Sequence, residues 1–183
     1  MLIGFLGHKQ SGKDTASDYL VKKLNYKKVS FASPLKDACM ILFGFNHEQL
    51  YGNKKEEIDD DWGVSPRKVM QWMGTDMFRV NIQSINPDIK NNFWITSFKK
   101  RNPYYKNIVI SDVRFQNEVN AIHELGGLVI KIERPNINTD AHISEFEINT
   151  ITNYDTYINN NANIESLYQK LDNIIYVYKL SAI

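Results

Sequence analysis

The 183-residue chain contains one cysteine, Cys39, which excludes an internal disulfide framework and suits a reducing cytosol. Its setting, LKDACMILFGF, is apolar and points to packing rather than nucleophilic chemistry. Histidine is scarce too: four residues, with no spacing that would build a zinc site with that cysteine. Neither charge sign is in excess. The net charge of +1 gives no general reason to expect a nucleic-acid polymer or an anionic membrane as partner, so any phosphate affinity must come from local clusters. There is no long hydrophobic run. The first apolar stretch has no basic residues before it and is far too short to span a bilayer or act as a signal peptide. These absences lead to the expectation of a soluble, cytoplasmic protein.

The composition, 43% hydrophobic and 12% aromatic, can supply a core, and the length suits one domain or one core with an inserted flap. Short apolar runs at 2–7, 26–32, 107–113, 128–134 and 154–160 read as strands. Helical spacing places helices over 13–24, from 33 with Ser33 as cap and Pro34 at the first position, over 65–80, over 87–102, from 115, and from 164 to the end. In the 65–80 segment Val69, Met73, Met77 and Val80 make an apolar stripe, with Arg67, Gln71, Thr75 and Arg79 on another face. Segment 46–64 reads as an exposed connection or part of an inserted lobe, and 135–153 as a polar stretch without strong period. Strands alternating with helices argue for a parallel sheet covered on both faces, with ligands beyond the carboxyl ends of the strands. Gly7 to Thr15, Ser33 to Lys36, Asp112 to Arg114 and 135–153 are expected there.

The strand at 2–7 runs into GHKQSGKDT, a Gly7-x-x-x-x-Gly12-Lys13 pattern followed by a helix. In that context the glycines allow backbone N–H groups to face phosphate oxygens, and the helix N-terminus adds partial positive charge. Gly7, Lys9, Ser11, Gly12, Lys13, Asp14 and Thr15 are thus candidates to bind a nucleotide, with Lys13 reaching the β- and γ-phosphates. Position 14 is unusual, since such loops carry Ser or Thr there to ligate magnesium. Here threonine comes one place later, as in the Gly-Lys-Gly-Thr loops of nucleoside monophosphate kinases, which hold magnesium largely through water and a strand-end carboxylate. Asp14 is left with three roles open: capping the helix, helping to hold magnesium water, or meeting the acceptor.

ISDVR places Asp112 at a strand end, where it can anchor a magnesium shell, with Arg114 close enough to hold an anion bidentately. Lys36, Arg67 and Arg79 are further cations that phosphoryl transfer could use for alignment and charge neutralisation. Arg134, His142 and Glu145 fall in a polar stretch that could close as a lid and exclude water. Trp62, Trp72 and Trp94 could stack on a base, although packing is expected for at least two of them.

GHKQSGKDT, SFASPLKDA, SPRKVMQWMGTDMFR, SDVRFQNEVNAIHELGGLVIKIERP and DAHISE occur in the order found in bacteriophage deoxynucleoside monophosphate kinases, and the chain resembles that family over nearly its whole length. The resemblance implies a three-layer α/β fold of the P-loop NTPase kind with a helical acceptor-binding insert and a lid. The core is expected at about 1–45 and 104–183, the insert at about 46–103 and the lid at about 135–153. It implies transfer of the ATP γ-phosphoryl group to a deoxynucleoside monophosphate with Mg2+, in the cytoplasm of a host during viral replication. Lys13, Asp112 and Arg114 would be catalytic. Ser33, Lys36, Arg67, Gln71, Arg79, Asp112 and Arg114 would bind the acceptor, and Glu145 would either contact the acceptor or order the lid. Arg134 and His142 would belong to the lid, and Asp112, through water, would serve the metal, with Asp14 as a second candidate. A homodimer is compatible with the sequence. Two alternatives stay open: a related small-molecule kinase acting on dephospho-coenzyme A or phosphomevalonate, or a non-catalytic nucleotide-binding protein. A GTPase switch is disfavoured because NKKE (53–56) lacks the final Asp of a base-reading motif.

Overall fold

The computed structural model describes residues 1–104, 106–135 and 143–181, with the side chains of 143–145 and 181 outside that description. The chain forms two compact units, Met1–Ser30 with Tyr104–Ile183, and Phe31–Pro103.

The first unit is built on five parallel strands, β1 (Leu2–Leu6), β2 (Lys27–Val29), β3 (Ile108–Val113), β4 (Leu128–Glu133) and β5 (Thr156–Asn159), in the order β2-β3-β1-β4-β5. The central strand β1 is buried along its whole length, so it reads as a continuous apolar run rather than an alternating one. Period-two alternation sorts its side chains between two faces. Ile3 and Phe5 join Ala16 and Leu20 of α1 (Lys13–Leu24) and Leu167, Leu171 and Ile175 of α8 (Ile164–Ser181) in one core cluster. On the opposite face Gly4 leaves room for Ile122 of α6 (Gln116–Glu124): a Cβ there would lie 2.5 Å from the Ile122 Cδ1. Helices therefore flank the sheet on both sides. The segment expected to be aperiodic contains a helix, α7 (Ile143–Thr150), with Ile148 fully buried.

The second unit contains α2 (Ser33–Phe43), α3 (His47–Leu50), α4 (Pro66–Gln71) and α5 (Phe93–Arg101). The helix beginning at Ser33, counted with the core in the sequence, thus lies in this unit. Ser33 is not its cap: Ala32 is, and no side chain caps the first turn. Ser65 does cap α4, accepting a bond from the Lys68 amide, with Pro66 at the first position. The expected single helix over 65–80 changes character after Gln71, continuing as a π-helix over Trp72–Val80. Each i→i+5 turn holds one residue more than an α-turn, which re-phases the surface. Arg79, expected on a polar face, is buried, and Val80, expected in the apolar stripe, is exposed. The expected 87–102 helix is interrupted too. A 3-10 turn over Pro87–Ile89 ends at Lys90 with φ of 46°, and α5 starts only at Phe93. Of the three tryptophans, only Trp94 is buried, donating from Nε1 to the Gly74 carbonyl at 2.8 Å, whereas Trp62 and Trp72 are exposed.

Candidate active site

The loop from Gly7 to Gly12 joins the carboxyl end of β1 to the N-terminus of α1. Gly7 has φ of 154°, and a Cβ there would lie 2.3 Å from the Ile132 carbonyl oxygen, so β4 runs too close for any side chain. Gly12 has φ of 110° and begins α1 without a side-chain cap. The first-turn amides of α1 are thus presented in a conformation that favours glycine. Lys13 is buried within this loop, and its Nζ donates to the carbonyls of Gly7 at 2.7 Å and His8 at 2.5 Å. The Ser11 hydroxyl is 1% exposed as part of its residue and has no hydrogen-bond partner among the described residues. A buried hydroxyl left unmatched carries a desolvation cost that a ligand oxygen would relieve. Lys9 and Thr15 are half-buried around the same turn.

Asp14 does not cap α1. Its carboxylate is 83% exposed and pairs with the Lys28 ammonium on β2 at 2.9 Å, which Asp18 shares at the same distance. Burial works against the charged form of Lys28, but the bonds to Asp18 and Asp14 outweigh it, leaving the pKa above the ordinary lysine value.

Asp112, on the strand next to β1, is half-buried and accepts a 2.6 Å bond from the Ser30 hydroxyl at the end of the β2 segment. Arg114 follows β3 and is half-buried. Its backbone is fixed by Glu118, a buried carboxylate that accepts from the amides of Arg114 at 2.9 Å and Phe115 at 3.2 Å. Glu118 thereby satisfies amides at the start of α6, a role the sequence reading missed although the i+4 spacing from Arg114 offers a signal. The structure thus gathers Gly7 to Thr15 and Asp112 to Arg114 at the carboxyl ends of the adjacent strands β1 and β3.

Two further contacts to the loop lie far away in sequence. His8 Nε2 bonds Asn149 Oδ1 of α7 at 2.9 Å, and Asn160 Nδ2 donates to the Ser11 carbonyl at 2.9 Å. Arg134 is exposed directly after β4, while His142 and the Glu145 side chain lie outside the described residues.

Within the second unit the expected acceptor residues are individually held. Lys36 Nζ sits 4.0 Å from the centroid of the Tyr51 ring, and Arg67 pairs through Nε with Glu56. Ser33 accepts from Arg101 at 3.5 Å, and buried Arg79 donates to the Asn91 carbonyl at 3.3 Å. Gln71, the last residue of α4, is half-buried. Among the described residues, no group of carboxylates, histidines and cysteine forms a ready metal cluster, and no helix is long and apolar enough to cross a membrane.

The family described as deoxynucleotide monophosphate kinase matches residues 43–171. The chain belongs to that family. A protein of Acanthamoeba polyphaga mimivirus provisionally named deoxynucleotide monophosphate kinase is 44% identical, the match covering 93% of this chain and 94% of the relative. The deoxynucleotide monophosphate kinase of Enterobacteria phage T4 is 24% identical, with 96% and 99% covered. In fold, the chain is similar to a dephospho-CoA kinase from Campylobacter jejuni, with a TM-score of 0.53, 14% identity, and 100% and 98% coverage. The sheet order, the glycine loop and this likeness make the fold an α/β P-loop NTPase fold. As a member of the deoxynucleotide monophosphate kinase family, the protein is a phosphotransferase with a nucleotide as substrate.

Proposed function

We propose that the protein transfers the γ-phosphoryl group of ATP to a deoxynucleoside monophosphate, giving ADP and the diphosphate, in the host cytoplasm where viral DNA precursors are made. The observation that carries this reading is Lys13. Its ammonium is held inside the glycine loop by two neutral carbonyls, at the N-terminus of a helix. Phosphate oxygens can replace these neutral acceptors, because pairing the ammonium with an anion adds a charge–charge attraction to a bond that only the donor's charge assists. The same exchange gives the ligand the first-turn amides of α1 and the unmatched Ser11 hydroxyl.

Phosphoryl transfer needs alignment and charge neutralisation more than covalent help from the protein. Lys13 serves the β- and γ-phosphates of the donor. Asp112 suits magnesium held through water: it is an acceptor-only carboxylate at a strand end, oriented by Ser30 and adjacent to the loop. The metal supplies charge neutralisation at the phosphates when bound. Asp14 fits that role less well, because Lys28 already compensates it. Arg114, fixed at its backbone by Glu118, neutralises the transferring group or the acceptor phosphate. We assign Ser33, Lys36, Arg67, Gln71 and Arg79, with Glu145, to the acceptor monophosphate, and Arg134 and His142 to a lid.

A coupled ADP-release assay across the deoxynucleoside and nucleoside monophosphates, with Mg2+ and Lys13→Ala as control, tests the reading. Turnover of one or more deoxynucleoside monophosphates that is lost in Lys13→Ala is expected. A folded wild-type protein that phosphorylates none of them overturns it.

A further inference from the structure

We propose that Asn160 is a positioning residue for the phosphate loop, setting the orientation of the Ser11–Gly12 peptide and thereby the affinity for the donor polyphosphate. The inference rests on the reading that ATP occupies this loop. Asn160 follows β5 directly, and its own backbone amide donates to the Glu133 carbonyl at 2.7 Å, continuing the β4–β5 ladder by one bond. Its side chain is therefore projected from a fixed point of the sheet. From there Nδ2 donates to the Ser11 carbonyl at 2.9 Å.

The next peptide group follows from planarity. In a trans peptide the C=O and the following N–H point in opposite directions. Holding the Ser11 carbonyl toward Asn160 directs the Gly12 amide to the other side of the loop, away from the sheet edge that carries Asn160. Gly12 also needs φ of 110°, and a Cβ there would meet Asn160 Nδ2 at 2.5 Å. The close approach of the amide and the glycine are two halves of one arrangement. Without the Asn160 donor, the Ser11 carbonyl would lose its partner and the peptide could rotate, turning the carbonyl oxygen toward incoming phosphate. A loop that must first be reset binds polyphosphate more weakly by the fraction of time it spends in the competent form.

The contact predicts a split between donor and acceptor that a purely structural residue would not produce. Asn160→Leu keeps the volume and removes the donor, and Asn160→His retains a ring N–H that can reach the same carbonyl. Calorimetric binding of inorganic tripolyphosphate reads the loop without a base or ribose. For Asn160→Leu we expect tripolyphosphate affinity and ATP KM to worsen about tenfold, the worth of one hydrogen bond. The KM for the monophosphate should stay unchanged, and Asn160→His should recover part of the loss. Wild-type affinity in Asn160→Leu overturns the proposal. So does an equal loss for donor and acceptor accompanied by a lowered Tm. If Asn160→Leu does not fold, Asn160→His decides: it must bind tripolyphosphate more tightly than Asn160→Ala, and equality overturns the proposal. Failure of the underlying reading looks different, because tripolyphosphate would then bind wild type and Lys13→Ala alike.

Discussion

The Lys28 ammonium lies 2.9 Å from the Asp14 carboxylate and the same distance from Asp18, so the aspartate that replaces the usual loop hydroxyl shares one compensating charge from β2 with Asp18. A carboxylate beside a triphosphate would otherwise repel it. Lys28 is absent from every motif, yet it supplies the cation that offsets part of this charge. Lys28→Met should raise the ATP KM a few-fold, with the effect growing at low ionic strength because the pair is partly exposed. Adding Asp14→Ser should cancel most of that rise, and steady-state kinetics on the double-mutant cycle measures the coupling. Additive effects would show that the pair is only a surface contact.

Asp112 and Ser30 test the metal assignment. Asp112→Asn keeps the shape and can still bond Ser30, but it removes the charge. The expected outcome is a fall in kcat of about 10–100-fold and a higher Mg2+ concentration at half-maximal rate. Ser30→Ala should move both in the same direction by less. A magnesium titration of activity separates them, and an unchanged magnesium requirement in Asp112→Asn would remove Asp112 from the metal shell.

Cys39 offers a measurement independent of activity. Burial pushes its thiol up to about 11, and its sulfur contacts the Met73 sulfur at 3.6 Å. At pH 8 about one thiol in a thousand is then the reactive thiolate. The native protein should react very slowly with a thiol-specific chromogenic reagent and release one equivalent rapidly on addition of denaturant. Rapid reaction in the native state would mean that the Cys39 packing opens readily.

The Asp172 carboxyl gives the pH dependence a sign. Burial pushes its pKa up, but hydrogen bonds from Lys23 and Tyr19 and the Lys23 charge more than offset this, leaving it below the ordinary value. A lowered folded pKa stabilises above the unfolded pKa, and that stabilisation disappears as pH falls through the folded value. Asp172→Asn should therefore cost at most about 1 kcal/mol at pH 7, given the exposure of the pair. The difference from wild type should vanish on acidification. Urea unfolding at neutral and strongly acidic pH checks the trend.

What was legible in the sequence was local. The loop, Lys13, the buried run leading to Asp112, and the alternation of strands and helices all follow from period and spacing within short windows. Glu118 aside, the partners that orient these groups were not legible, because they come from other elements of the fold. Asn160 sits in a run of similar residues, NNNAN, and only the end of β5 distinguishes it. Lys28 looks like one more lysine in KKLNYKK until β2 is laid beside β3. Arg79 was misread for a different reason. The helical wheel assumes a constant turn, and the π-helical stretch after Gln71 breaks that assumption, burying a residue expected on the polar face.

The strand pairing also constrains how the protein is made. Leu2 pairs with Ile108, and Ile3 with Leu128, so β1 emerges from the ribosome long before either neighbour exists. Until β3 and β4 are synthesised, the most apolar strand has two unsatisfied edges. Pairings so distant in the chain close slowly and leave the nascent strand open to association with other chains. Asn160, which fastens the phosphate loop, arrives later still, after β5. The loop therefore gains this contact only after all five strands of the sheet have been synthesised.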